Sequence, residues 1–407
     1  MTFYLKLAWR NNLRNKRRTF LAALAVGLGL AALIFTDAIS VGMLKGLIDT
    51  ATGTFMGQAQ IHRKGFLDTA DSDLQVNDGP RLLAELAADP LVARAAPRAV
   101  SFAMIASPSN SGSVMLYGLD PGAERGLSRL DRTVKSGDFL KEDGDSVVIG
   151  AKLADTLGVE LGDKVVITAA AAGGGDKAQA LFRVGGIISS GSRAMDSNFA
   201  FIRLDRAQKL LNLRGGFHEI AVAFRDLRTA EDKSLPFWSR YGGGGNEAKG
   251  WPELVPELAA AKSMSAFGIF ITAVILSGIV ALGIMNTLFM SLYERMFEFG
   301  VLRALGTRPW RMGLMIVSEA GALALISSAL GMAIGLLACR LVGIKGLDYT
   351  GVDYAGITML EPIRPMFRWL QYWLYPAALF VFTLLVSLYP AVYAARMNPV
   401  KAMRRSL

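Results

Sequence analysis

The chain has 407 residues, 52% of them hydrophobic and 19% charged, with a formal net charge of +10. An apolar share just above the usual 45–50% suits a membrane protein with a large aqueous part. A single cysteine excludes an intrachain disulfide framework, and the basic surplus is too localised for a nucleic-acid surface: residues 1–18 carry +6, residues 294–311 carry +2 and the tail from Arg396 carries +4.

Crossing a hydrocarbon core of about 30 Å takes roughly 20 apolar residues. Four stretches qualify: 19–44, 263–293, 312–340 and 372–395. The basic pieces lie at their ends, so the positive-inside rule places 1–18, 294–311 and 396–407 in the cytoplasm and 45–262 and 341–371 outside. The expected architecture is an α-helical membrane domain of four transmembrane helices, with an α+β extracytoplasmic domain inserted between helices 1 and 2. No nucleic-acid partner is expected.

In chain order, Leu5, Trp9 and Leu13 recur at helical spacing beside Lys6, Arg10 and Arg14, a moderately amphipathic interfacial helix over 1–18. The run Phe20–Phe35 has no charge and follows basic residues, as a signal peptide would. No clean small-x-small site follows it, and three more spans lie downstream, so it reads as an uncleaved helix. Asp37, just beyond that run, reads as a solvated carboxylate at a helix end.

The aqueous region 45–262 holds short runs rich in Val, Ile and Phe: GQAQIH (57–62), SVMLYGL (113–119), SVVIG (146–150), DKVVIT (163–168), ALFRVGGII (180–188), NFAFIRL (198–204) and EIAVAF (219–224). Helical pieces interleave at 81–89, 151–158 and 205–213. AAAAGGGDKAQ (169–179) reads as a flexible hairpin tip and GGGGNEAKG (242–250) as a second flexible piece. His62 and His218 lie far apart in this domain, and each reads as a surface or strand residue, not a metal ligand.

Residues 263–293 carry no charge. If 263–305 ran as one helix it would be about 65 Å long at 1.5 Å per residue, so the chain must leave the membrane near Tyr293–Arg295 and continue or bend. Glu294 and Glu298 near the start and Arg303 near the end complement a helix dipole. Gly306 fits a helix C′ position, and Pro309 bars continuation. Phe297, Val301 and Leu305 recur at i, i+4, i+8, a face that can insert into a partner's groove. A solvated loop fits the spacing equally well.

Between Met312 and Cys339 the only charge is Glu319. An ionised group there faces protein or water. An ion pair with Arg308 or Arg311, or a helix hydrogen bond, accounts for it better than a substrate contact. Cys339 reads as a buried, inert thiol. Gly331-x-x-x-Gly335 permits close helix packing, on a weak signal. No Walker A string, H-E-x-x-H, C-x-x-C or G-x-S-x-G occurs in the chain, so nothing supports an enzyme reading and no cofactor is expected to bind here.

ERMFEFGVLRALG (294–306) resembles the cytoplasmic signature of FtsX-like permeases, E-x-x-x-E-[IF]-G-[IV]-L-[RK]-A-L-G. These are the membrane subunits of type VII ABC transporters, which include the MacB efflux and Lol lipoprotein-release systems. AWRNNLRNKRRTFLAALAVGLG, GQAQIHRKGF, DPLVARAAPR, VVIGAKLADTLGVELGDKVVI, FRVGGI, FAFIRLDRAQKLL, SEAGALALISSALGMAIG and SLYPAVYAARMNPVKAMR extend the likeness along most of the chain, with Met403 departing from the family's Leu. The resemblance implies an inner-membrane permease that pairs with a second copy or a paralogue. Two copies of a soluble P-loop ATPase, which bind the ATP and Mg, would dock on the coupling helix. Its residues are Glu294, Arg295, Phe297, Glu298, Gly300, Val301, Leu302, Arg303, Ala304, Leu305 and Gly306. In the lipoprotein-releasing branch, which the chain resembles most, the first two spans line an apolar cavity, implying roles for Phe35, Met43, Phe267, Phe270 and Met285. The resemblance also implies a periplasmic chaperone or adaptor. In that branch one permease captures the chaperone with a hairpin hook, but the matching segment here, 169–179, is small and Gly/Ala-rich. Efflux of a periplasmic peptide, toxin or drug, and signalling to a periplasmic enzyme, remain alternatives.

Overall fold

A computed structural model of the chain describes residues 16–140, 145–174, 177–354 and 357–396. Most of the expected interfacial helix (1–15) and of the tail (397–407) lies outside these residues. The chain divides into two compact units. One comprises Met1–Leu44, Lys262–Asp348 and Pro362–Leu407, and the other Lys45–Ala261 and Tyr349–Glu361.

Helix α1 (Lys16–Ala51) is followed by one wide turn, Thr52–Met56, which Gly57 closes at φ 81. The strands of the aqueous unit then follow: β1 (Ala59–Arg63), β2 (Val92–Ala106), β3 (Ser111–Leu119), β4 (Val134–Gly137), β5 (Ser146–Gly150), β6 (Lys164–Ala170), β7 (Lys177–Ile188), β8 (Phe199–Arg203), β9 (Glu219–Phe224) and β10 (Asn246–Gly250). They form one mixed sheet in the order β10-β1-β9-β2-β3-β8-β5-β7-β4, with β6 bridging β2 and β7. That bridge closes a ring, β2-β3-β8-β5-β7-β6-β2. Ile105, Leu116, Ile149, Ile167, Phe182 and Ile202 are buried in one core cluster, the inward half of each strand's alternation. Helices α2 (Gly79–Ala88), α3 (Ala151–Leu157) and α4 (Leu204–Leu210) flank the sheet. Leu153, Leu157, Ala207 and Leu210 of α3 and α4 complete that cluster. Gly158 ends α3 in the left-handed region, at φ 64.

Parts of the two segments expected to be flexible make fixed contacts, while 175–176 of the hairpin tip lies outside the described residues. NEAKG of the glycine-rich 242–250 is β10, paired with β1 from Ala59↔Gly250 to Arg63↔Asn246. At the hairpin tip, Ala172 N donates to Leu211 O (2.9 Å) and Gly173 N to Asp73 Oδ1 (2.7 Å). The small strands β11 (Asp353–Tyr354) and β12 (Ile357–Thr358) belong to this unit too. The expected outer loop 341–371 is therefore shared between the two units.

The membrane unit is built from α1 with α5 (Pro256–Glu294), α6 (Met296–Ala304), α7 (Pro309–Lys345) and α8 (Trp369–Ala395). The four long helices exceed the lengths expected for the spans. Gly331 and Gly335 mark a close crossing of α7 with α1. A Cβ on Gly331 would stand 2.6 Å from Gly27 O, and one on Gly335 would stand 3.4 Å from Ala31 Cα. Helix α5 packs least: 11% of its most apolar window is buried, against 28–39% for the other three. Its contacts come from Val280, Ile284, Leu288 and Leu292.

Candidate functional site

The long helix α5 stops at Glu294 because Arg295 adopts φ −110, ψ 15 and turns the chain before α6 begins. The bend, not a continuous helix, takes the chain onward. Glu298 sits in the first turn of α6 and Arg303 in the last, as the dipole favours. Gly306, at φ 90, ends the helix: its N–H donates to Arg303 O (3.0 Å), and Thr307 N–H reaches back to Leu302 O (3.0 Å). This is a Schellman closure, which a left-handed glycine makes possible. Pro309 then opens α7.

Helix α6 has two unlike faces. Phe299, which spacing did not single out, is 3% exposed and packs with Leu292, Met312, Ile316, Ala391 and Ala394. Gly300 is buried beside it. On the other side Phe297 is 50% and Leu305 79% exposed, with Glu298, Ala304 and Gly306 also exposed. Val301, Leu302 and Arg303 are half-buried between them. Phe299 is thus the anchor, and the Phe297–Leu305 side is open. Trp310, at 58% exposure, extends that open side past the turn.

A polar network fixes the base of α6. Arg295 Nε donates to Glu298 Oε2 (3.0 Å), and its Nη1 reaches Glu319 Oε2 (3.5 Å). Ser291 Oγ donates to Glu319 Oε1 at 2.9 Å. The cation beside Glu319 is therefore Arg295, where the sequence pointed to Arg308 or Arg311. The α5–α6 bend brings Arg295 back over the first turns of α7, which linear spacing does not reveal. Glu294 pairs with Arg18 of α1.

Asp37 overturns its sequence reading. It is 2% exposed, not solvated. Gln371 Nε2 (2.7 Å), Tyr375 Oη (2.9 Å) and Arg368 Nη2 (3.1 Å) all donate to its Oδ2. The three donors lie at the start of α8, more than 330 residues along the chain, so no local pattern could have indicated them.

Phe267 and Phe270 are 64% and 63% exposed, and Phe35, Met43 and Met285 are half-buried. In one chain these five are surface, and enclosing a cavity with them requires another surface opposite. Cys339 is half-buried in the described chain.

The aqueous unit holds a separate buried charge centre. Arg98 is fully buried and donates to both carboxylate oxygens of Glu124 (2.6 and 3.0 Å), to Glu219 Oε1 (2.8 Å) and to Phe55 O (2.6 Å). Burial opposes its charge, but the two carboxylates outweigh burial and hold its pKa above the ordinary arginine value. Its guanidinium lies 4.1 Å over the Phe55 ring, in the turn that follows α1. His62 and His218 are both fully buried here, with Phe66 stacked between them at 5.7 and 5.1 Å. Both are core residues brought together by folding: His62 lies in strand β1, as a strand residue, and neither is on the surface. Among the described residues no cluster of three or more His, Cys, Asp or Glu could hold a metal ion.

The sequence pattern of the MacB-like periplasmic core domain matches residues 19–232, more than half of the chain, and that of the FtsX-like permease C-terminal region matches 270–399. The chain belongs to the FtsX-like permeases that carry a MacB-like periplasmic core domain. The permease is 25% identical to the lipoprotein-releasing system transmembrane protein LolC of Xylella fastidiosa, over 96% of each chain. It is 21% identical to LolC of Neisseria meningitidis over 72% of this chain and 69% of that one. It is also 30% identical to the macrolide export ATP-binding/permease protein MacB of Marinobacter nauticus, over 30% of this chain and 16% of that protein. It is an ABC transporter permease of the LolC/MacB type, with four membrane helices and a periplasmic-type domain between the first and second.

Proposed function

We propose that this permease draws lipoprotein or a lipid-like cargo from the outer leaflet of the bacterial inner membrane, driven by a separate ATPase seated on α6. The observation that carries the cargo class is the end-to-end likeness to LolC, over 96% of both chains. The likeness to MacB, which supports the efflux reading, covers 16% of that protein. With the domain between α1 and α5 on the periplasmic side, a four-span chain would have α6 and both termini in the cytoplasm, the side that the positive-inside bias favours for the basic pieces. The open Phe297–Leu305 side of α6, framed by Glu298 and Arg303, suits a groove on the ATPase, which would bring the ATP and Mg. Two ATPase copies and a second permease, identical or paralogous, complete the assembly. The second permease would supply the surface that Phe35, Met43, Phe267, Phe270 and Met285 need in order to enclose acyl chains.

The energetics fit a motor. Moving one myristoyl-length chain from bilayer to water costs roughly 10 kcal/mol at about 0.8 kcal/mol per methylene, and a lipoprotein carries more than one chain.

Two measurements test this reading. The permease–ATPase complex purified from its native membrane is expected to carry lipoprotein. A complex that holds a periplasmic adaptor and no lipoprotein would favour efflux. Glu298→Lys is expected to weaken ATPase association about tenfold, roughly 1.4 kcal/mol, with the periplasmic domain's melting unchanged. Unaltered association and turnover would remove α6 from the coupling role.

A further inference from the structure

The outer end of the α7–α8 pair carries cations on the side of the membrane where the positive-inside bias disfavours them. Arg340 and Lys345 lie in the last two turns of α7, and Arg364 lies in the segment that returns to α8. All three are exposed, and none has an ion-pair partner among the described residues. Arg368, the fourth, is committed to Asp37.

The return segment is pinned against α7. Leu347 and Ile363 exchange both backbone hydrogen bonds at 2.8 Å. The Arg364 stem lies 3.4 Å from where a Cβ on Gly346 would stand, and Pro365 lies 4.0 Å from one on Gly343. Met366 N–H donates to Ala38 O of α1 at 2.9 Å. Arg364 is thereby held beside Lys345. From Arg340 to Lys345 the helix rises about 7.5 Å, close to the thickness of one headgroup layer, about 5–8 Å.

Aromatic residues fix the depth of this group. Trp369 and Trp373, one helical turn apart at the start of α8, are each 72% exposed. Phe367 stacks on Tyr372 at 4.8 Å and meets Trp369 edge-on at 5.7 Å. Outward tryptophans at a span end settle at the headgroup level, which sets Arg340, Lys345 and Arg364 at the depth of the lipid phosphates.

We propose that this basic and aromatic collar binds the headgroup of an anionic phospholipid in the outer leaflet. The lipid phosphate accepts from cations that pair with no described residue, offsetting one of their three charges, and the tryptophan pair holds the collar at that depth. The site involves neither the ATPase nor the cargo.

The test uses the full-length permease in vesicles of equal parts phosphatidylglycerol and phosphatidylethanolamine, extracted gently and weighed by native mass spectrometry. The permease is expected to retain phosphatidylglycerol in preference. The triple variant Arg340→Gln, Lys345→Gln, Arg364→Gln should lower that preference on the order of tenfold. Arg340→Lys with Arg364→Lys should keep it, because an ammonium still pairs with phosphate. A cytoplasmic-end variant, Arg308→Gln with Arg311→Gln, should leave the outer-collar component in place. Undiminished phosphatidylglycerol in the triple variant would overturn the proposal. So would loss confined to the cytoplasmic-end variant, or full displacement by inorganic phosphate, which would mark a site for free anions.

Discussion

The two units bury charge in different ways. In the aqueous unit Arg98, Glu124 and Glu219 lie at or below 5% exposure, and Arg98 meets both carboxylates and a main-chain carbonyl. In the membrane unit each buried carboxylate lies toward one end of the helix group, apart from any second buried carboxylate among the described residues of that unit. Asp37 is at the end where α8 begins, Glu319 at the end beside α6, and each has a cation that keeps some contact with solvent: Arg368 at 44% and Arg295 at 16% side-chain exposure. A sheet domain can collect charges from two strands and a neighbouring short helix, as it does with Arg98, Glu219 and Glu124, and seal them. Helices in lipid cannot, so their acids sit near the ends, where a long arginine can reach water. The first arrangement shares its charges within one sealed group, and the second leaves Asp37 dependent on Arg368, Gln371 and Tyr375.

The sharpest way to break the contrast is Arg98→Met. It strands two carboxylates in the sealed centre, and breaking a buried pair this way costs about 3–5 kcal/mol. Thermal melting of the purified permease should show the loss in the periplasmic domain alone. A loss under about 1 kcal/mol would mean water reaches the centre, and the two units would then differ little.

Within the membrane unit the two ends should also differ. Asp37→Ala leaves the Gln371 amide and the Tyr375 hydroxyl without their acceptor, for about 1–3 kcal/mol. Glu319→Gln keeps an acceptor for Ser291, and Arg295 retains Glu298, so about 1 kcal/mol is expected. Denaturant titration in detergent compares the pair. Equal losses would make the three-donor set at Asp37 unimportant.

The same contrast explains what the sequence disclosed. Glu319 stood out because its neighbours are apolar for a full span, and the helix α6 was legible from Phe297, Val301 and Leu305 at helical spacing. The strand runs were legible because an alternating apolar pattern is local. Strand β2 was not, because Arg94, Pro97 and Arg98 interrupt its alternation. Pro97, opposite Ile220 of β9, has no N–H to give the ladder. Arg98 is buried precisely where its partners arrive from Glu124 and Glu219, so its role is a tertiary fact. Asp37 ended an apolar run, where solvation is the default, and its donors come from α8. Phe299 was hidden among other aromatics until α7 and α8 supplied the surface it packs on.

Acidification is the mildest probe, and it separates the units without a mutation. His218 accepts from Val100 N–H at Nδ1 (2.9 Å), and its Nε2 lies 3.0 Å from Ser72 O, a bonding pattern that only the neutral ring completes. Burial pushes its pKa below the ordinary histidine value. The unfolded chain therefore takes up this proton first as pH falls, and stability declines below about pH 6.5. For Glu219 burial alone would raise the pKa, but the hydrogen bond with His62 and the charge of Arg98 outweigh it and hold the value down. Its contribution is complete above the unfolded value of about 4.3 and is lost as pH falls from there toward the folded one. Melting temperature should thus be level above pH 7 and descend in two stages, both in the periplasmic domain. His218→Gln should abolish the first stage and leave the second. If the first stage persists in that variant, another group titrates there, and the neutral ring bridging Val100 and Ser72 is not what the sealed centre protects.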